Sequence, residues 1–201
     1  DNYFPEIEEK ASAYSIENQI PYKPNSADLE KILTEKFHYE IRNVDFEKYG
    51  ATGKLRSLYI PEKRLLLLNE LLDEDQKTFI FAKEIGYNVL NLNIRPNTYS
   101  WLDFTSFEEL LSNYYASYFA GCLLIHKGIL TEKLSQFFRL EEWEPENFEN
   151  LIAEFTNSPE TFYYRLTNIL PQEHGIKDLF YLCFTKKKNS EKLEILKELH
   201  L

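Results

Sequence analysis

Apolar and polar positions alternate along this chain with two different periods, and the places where the period changes predict its elements. The first stretch, Tyr3 to Ile20, is acidic and weakly helical, and Pro21-Tyr22-Lys23-Pro24-Asn25-Ser26 breaks it. Leu29, Ile32, Leu33 and Phe37 then fall at helical spacing, which predicts a helix from Ala27 to about Lys36 with Ser26 as its cap. Three extended runs follow: Tyr39 to Val44, Leu55 to Ile60 and Arg64 to Asn69. The last two flank Pro61-Glu62-Lys63 and read as a hairpin, while Tyr49-Gly50-Ala51-Thr52-Gly53 marks a loop before them. From Asp73 the period becomes helical, with Phe79, Ala82, Gly86, Val89 and Leu90 on one face of a helix reaching about Leu92 and stopped by Arg95-Pro96-Asn97. Ser106 opens a second long helix whose stripe is Phe107, Leu110, Leu111, Tyr114, Tyr118, Cys122 and Ile125. Shorter helices are predicted from Pro145 to Phe155 and from Pro159 to Leu170, the second capped by Ser158. After Pro171 and Gly175, Leu179 to Phe184 reads as a strand, and Glu191 to Leu201 suits a helix or a strand equally. The pattern therefore gives an α+β fold: a small, mostly antiparallel sheet packed against the 73–92 helix and the long 106–126 helix, with a C-terminal helical and strand extension. Three parts follow: residues 1–26 as an N-terminal linker or helix, 27–127 as the core, and 128–201 as the extension.

Composition narrows the classes of function. At 201 residues, 43% apolar and 15% aromatic, the chain is long and apolar enough for a globular core. Lys and Arg number 23 against 33 Asp and Glu, a net charge of −10, which argues against a nucleic-acid surface made by this chain alone. No run approaches the roughly 18 apolar residues that span a bilayer, and nothing at the N-terminus reads as a signal peptide, so a soluble protein is expected. Cys122 and Cys183 both sit in apolar runs, where buried free thiols and a reducing cytoplasm are the expectation. The chain holds no methionine and opens Asp1-Asn2-Tyr3, which is expected of a piece of a longer protein.

The chemistry of interest lies in Thr78-Phe79-Ile80-Phe81-Ala82-Lys83-Glu84-Ile85-Gly86-Tyr87. A zinc peptidase helix sets two histidines four residues apart, so that both imidazoles face the metal, with a glutamate after the first as general base. Here Lys83 stands at the first histidine position, Glu84 at the base position and Tyr87 at the second histidine position. A protonated lysine has no lone pair to give, and a phenol is a poor zinc ligand at neutral pH. Read on periodicity alone, the segment is an ordinary core helix.

This stretch resembles the ImmA/IrrE family of metallopeptidases, whose helix reads F-x-x-A-H-E-L-G-H; Phe79, Ala82, Glu84 and Gly86 match it. A strand ending in asparagine precedes that helix in the family, as Leu67-Leu68-Asn69 does here. A second signature, E-x-x-A-N-x-F-A-x-x-L-L-M-P, is similar to the run from Asn113 to His126, with Asn113 where the family's third metal ligand stands. A third likeness is Leu151 to Leu166, similar to the family's closing helix pair. The resemblance covers roughly residues 27–184 and departs from the family at all three ligand positions.

The resemblance implies a peptidase fold without its metal, no cofactor and no catalysis. Ligand-poor relatives are joined to an upstream helix-turn-helix of the phage-repressor (XRE) type and resemble sensors of short-chain fatty acyl metabolites, including acyl-coenzyme A. It therefore implies a cytoplasmic regulatory module, reaching DNA through a part outside this chain and acting as a homodimer. Lys83, Glu84, Tyr87 and Asn113 are the candidate ligand-binding residues, with Trp101, Tyr114 and Tyr118 as walls. Lys83, Glu84 and Asn113 could equally close on one another in a structural hydrogen-bond cluster. Two alternatives stand beside this reading: an active zinc metallopeptidase, or a protein-protein interaction module. His38, His126, His174 and His200 are too scattered to make a metal set. A third idea, DNA binding by the helix pair over 147–170 through Tyr163, Tyr164, Arg165 and Asn168, meets a surround of Glu141, Glu142, Glu144, Glu146, Glu149 and Glu154 that repels phosphate.

Overall fold

In the computed structural model, residues 2–49, 55–96, 98–99, 106–186 and 192–200 are described. Helix α1 (Pro5–Glu17) comes first, then α2 (Ser26–Phe37) and β1 (Glu40–Val44). Strands β2 (Leu55–Ile60) and β3 (Leu65–Asn69), helix α3 (Glu74–Val89), strand β4 (Thr98–Tyr99) and helix α4 (Phe107–Leu124) follow. Helices α5 (Lys127–Phe137), α6 (Pro145–Phe155) and α7 (Pro159–Glu173) lead to strands β5 (Phe180–Lys186) and β6 (Leu193–His200). The chain divides into two compact units, residues 6–126 and residues 1–5 with 127–201.

In the first unit the sheet order is β1-β3-β2-β4. The expected hairpin forms, with Ser57 opposite Leu68 and Ile60 opposite Leu65, around a short helical turn at Pro61–Lys63. β1 runs parallel to β3, and β4 antiparallel to β2. The unbroken Leu65-Leu66-Leu67-Leu68 run suits this order, because β3 lies between two strands and all but Leu67 of the run is buried. Asn69 closes it: its side chain donates to the Leu55 carbonyl at 3.0 Å and accepts from the Leu71 amide at 3.0 Å.

The helix ends follow local chemistry. For α2 the cap is Asn25, not Ser26, because Asn25 and Asp28 form a reciprocal capping box. Asp73 and Gln76 do the same at the start of α3. That helix is not one-faced as its pattern predicts; every residue from Ile80 to Tyr87 is buried, since α2 and α4 pack along it and the Tyr39 and Arg95 side chains reach it. Gly86 is where α4 comes closest: a Cβ there would lie 3.0 Å from the Ala116 carbonyl oxygen and 3.1 Å from Phe119. The first turns of α4 depart from the predicted stripe, for Phe107 and Leu110 are exposed while Ser112 and Asn113 are buried. Helix α1 packs on α4 through Tyr14 edge-on to Phe119, and Tyr118 donates to the buried Glu8 at 2.9 Å.

In the second unit α5 is a helix that the sequence pattern did not single out. Leu130, Leu134, Leu151, Ile152, Phe155, Phe162 and Ile169 make its core. Helix α7 continues through Pro171 to Glu173, and the His174 amide still reaches the Leu170 carbonyl. The proline sits in the last turn, where one missing amide costs little. The undecided C-terminal segment is a strand, β6, antiparallel to β5. Cys122 is buried as expected, whereas Cys183 on β5 is half-buried; both are free thiols. Arg165 and Asn168, read above as imaginable DNA contacts, are buried, and Asn168 donates to the Asn2 carbonyl. Among the described residues no helix is long and apolar enough to cross a membrane.

Candidate functional site

Glu84, on α3, is held by the protein itself. Its Oε2 accepts from the Tyr39 hydroxyl at 3.0 Å and from Arg95 Nη1 at 3.2 Å. Asn88, one turn further along α3, donates to the Tyr39 hydroxyl at 3.0 Å and to the Glu84 carbonyl at 2.7 Å, and accepts from Arg95 Nη2 at 3.1 Å. Arg95 Nη1 also donates to the Tyr39 oxygen. The guanidinium plane lies over Tyr59 of β2 at 4.6 Å and over Tyr87 at 5.3 Å, and Tyr59 stacks on Tyr39 at 4.8 Å. Three tyrosines, an amide and a carboxylate thus box one arginine, an arrangement in which both terminal nitrogens of the fork have an acceptor.

The segment that carries Arg95 is tied on both sides. Ser112 of α4 donates to the Ile94 carbonyl, and Thr98–Tyr99 pairs with β2 at Leu55 and Ser57. In the sequence alone, Arg95-Pro96-Asn97 is a helix stop and Tyr39 and Tyr59 are strand residues. The one clue was a charged residue directly before a proline, in a loop that must return over the helix.

Electrostatics follow from burial. Desolvation pushes the Glu84 carboxyl above its usual range, with Arg95 and Lys83 pulling the other way. Burial likewise raises the phenols of Tyr39 and Tyr87 well above the usual value, and the Glu84 charge adds to both. Lys83 is buried beside Glu84, its Nζ 5.7 Å from the Tyr87 ring centre. Its ammonium is lowered to about 8 by burial; the Glu84 charge opposes the shift and Arg56 on β2 adds to it.

Of the predicted residues, Lys83, Glu84 and Tyr87 do come together on α3. Asn113 lies on the buried face of α4, one turn before Ala116, where α4 meets Gly86. The expected Lys83, Glu84 and Asn113 cluster is not the arrangement found: Arg95 and Tyr39 engage the Glu84 carboxylate, and the buried Asn113 Oδ1 has no hydrogen-bond partner. The Tyr87 hydroxyl is also buried and unpartnered. Tyr118 is buried and its hydroxyl donates to Glu8 of α1, and Tyr114 is half-buried beside it. Trp101 lies outside the described residues.

These donors do not suit zinc. An ammonium largely protonated at neutral pH, a phenol with its proton held more tightly than usual and a neutral amide replace the two imidazoles and the carboxylate of a hydrolytic centre. Among the described residues, no three His, Cys, Asp or Glu side chains group to hold a metal ion.

No curated protein matches the sequence. A solved Mycobacterium tuberculosis transcriptional regulator shares the fold, with a TM-score of 0.63 at 18% identity, over 96% of this chain and 56% of the regulator. At that identity the likeness speaks for fold alone, and this chain spans little more than half of the regulator's length. The family model of the IrrE N-terminal-like domain, peptidase M78, matches residues 28–167. The chain belongs to this IrrE N-terminal-like family.

Proposed function

We propose that this chain is the non-catalytic regulatory part of a transcription regulator, and that its altered peptidase site takes a small acyl metabolite in place of a metal. The observation that carries this reading is the contact of Arg95 Nη1 with Glu84. A general base must be open to the water it activates, and here an internal cation and the Tyr39 hydroxyl engage the carboxylate oxygen. Beside it stands a lysine of the charge that attracts a carboxylate or a thioester carbonyl, with two buried polar atoms, on Tyr87 and Asn113, that lack partners. Acyl-coenzyme A and short acyl acids present the matching groups. The kinship in fold with a regulator supports the setting, in which an upstream helix-turn-helix would read DNA from the cytoplasm while this acidic part senses.

Melting curves of the purified protein with acyl-coenzyme A, free acyl acids and coenzyme A alone test the ligand. A rise in melting temperature that Lys83→Ala or Asn113→Leu removes supports it, since a ligand bound to the native state stabilises by mass action. No shift with any of them, at concentrations well above physiological, ends the acyl reading. Stoichiometric zinc together with peptide cleavage abolished by Glu84→Gln would end the non-catalytic one.

A further inference from the structure

Strand β5 presents an edge that proteins normally protect. Phe180-Tyr181-Leu182-Cys183-Phe184-Thr185 runs six residues without a charge, a proline or a glycine, the composition of a strand prone to pair with other chains. β6 covers one edge, and among the described residues no strand covers the other. β6 itself carries Glu194 and Glu198 and follows Lys192, the kind of charge that guards an edge. One face of the ribbon is covered, with Tyr181 against Tyr163 and Tyr164 of α7. The opposite face is not: Phe180 is 70% exposed, Phe184 49%, Leu193 65% and Ile195 56%. A lone two-stranded ribbon is marginal in water, and this one leaves both an edge and an apolar face open.

We propose that β5 pairs antiparallel with β5 of a second copy, about a two-fold axis through Leu182, making a four-stranded sheet β6-β5-β5-β6. The sequence is self-complementary about that point. Phe180 falls opposite a second copy's Phe184, Leu182 opposite Leu182, and the exposed Asp178 opposite the exposed Lys186, each unlike pair occurring twice. A one-residue slip would set the apolar face of one copy beside the tyrosine-covered face of the other. Centring the pair on Phe184 instead would place Lys186 against Leu182. The two-fold arrangement also closes on itself, so it satisfies a sticky edge without forming a fibre.

Sedimentation velocity of the intact chain over a concentration series reads the association. The wild type is expected to dimerise reversibly. Lys186→Asp sets two like-charge pairs across the axis and raises the dissociation constant by roughly tenfold, and adding Asp178→Lys to it returns the constant to within about twofold. Phe184→Lys, at an exposed position, is expected to give a monomer with an unchanged circular dichroism spectrum. Position 182 meets its own copy at cross-strand distance, so Leu182→Cys in a Cys183→Ser background crosslinks to a dimer on oxidation. A wild type that stays monomeric overturns the proposal. So does a dimer that tolerates Phe184→Lys, a charge swap without rescue, or a Leu182→Cys protein that fails to crosslink.

Discussion

Two poles of buried polar groups on α3 and α4 are built to opposite rules. At the Glu84 pole the charges are answered: the carboxylate by Tyr39 and Arg95, the guanidinium by Glu84, Asn88 and two aromatic faces. The Tyr87 hydroxyl on α3 and the Asn113 Oδ1 on α4 make up the other: both are buried and go without partners. A buried charge that lost its counter-charge would be intolerable, and the fold supplies one from the following loop. An unpartnered neutral hydroxyl or amide oxygen costs much less, about 1–3 kcal/mol, and can be kept where something other than stability selects it. The saturated pole therefore reads as structure, and the unsaturated one is where a substitution can remove a polar atom at little cost.

The largest expected effect breaks the saturated pole. Arg95→Ala strands a buried carboxylate and should cost about 3–5 kcal/mol in denaturant unfolding, and coupling it to Glu84→Gln should recover a large part. A loss below about 1 kcal/mol would show that Arg95 is not the counter-charge.

Next comes Lys83, the buried cation beside Glu84. Lys83 titrates near 8 in the folded protein against 10.5 in an ordinary setting. Between those values the unfolded chain binds more protons than the native one, so this group makes stability rise with pH, by up to about 3 kcal/mol across the window, and adds nothing further above it. Lys83→Met should remove that rise, and parallel wild-type and Lys83→Met stability curves from pH 8 upward would refute the burial argument.

Gly86→Ala drives a methyl into the Ala116 carbonyl and the Phe119 ring, separating α3 from α4 at a cost of about 1–3 kcal/mol in the same unfolding measurement. Smallest of all, Tyr87→Phe and Asn113→Leu should leave unfolding free energy within about 1 kcal/mol of wild type or improve it, because each removes an unanswered polar atom. Both should weaken any ligand-induced thermal shift. A large destabilisation by either would erase the distinction between the poles.

The α3 frame could be read from the chain because helix periodicity and the Ala82-Lys83-Glu84-Ile85-Gly86 spacing are local. The hairpin and the caps at Ser106 and Ser158 follow from neighbours a few residues apart for the same reason, as does the α3 start at Asp73. Arg95 was invisible as a partner for Glu84, since a loop of that length returns in many ways and nothing nearby in sequence marks the destination of the guanidinium. Tyr39 sits 45 positions from Glu84, beyond any spacing rule. Asn113 was placed by resemblance, but its lack of a partner depends on packing that no pattern encodes. The C-terminal strand was undecidable because its alternation is diluted by charges and, with Leu196 bulged against β5, it does not hold a strict period of two.

By itself the sequence determined that the segment from Asp73 on is a helix carrying Lys83, Glu84 and Tyr87, and that the chain is acidic. Those are facts of composition and short-range spacing. Tertiary structure alone decided that Arg95 and Tyr39 hydrogen-bond to the Glu84 carboxylate, and that the Tyr87 and Asn113 oxygens are left over. The physical reason is desolvation: a carboxylate on a helix packed between α2 and α4 must find a cation, and which cation reaches it is settled by the path of the chain through space.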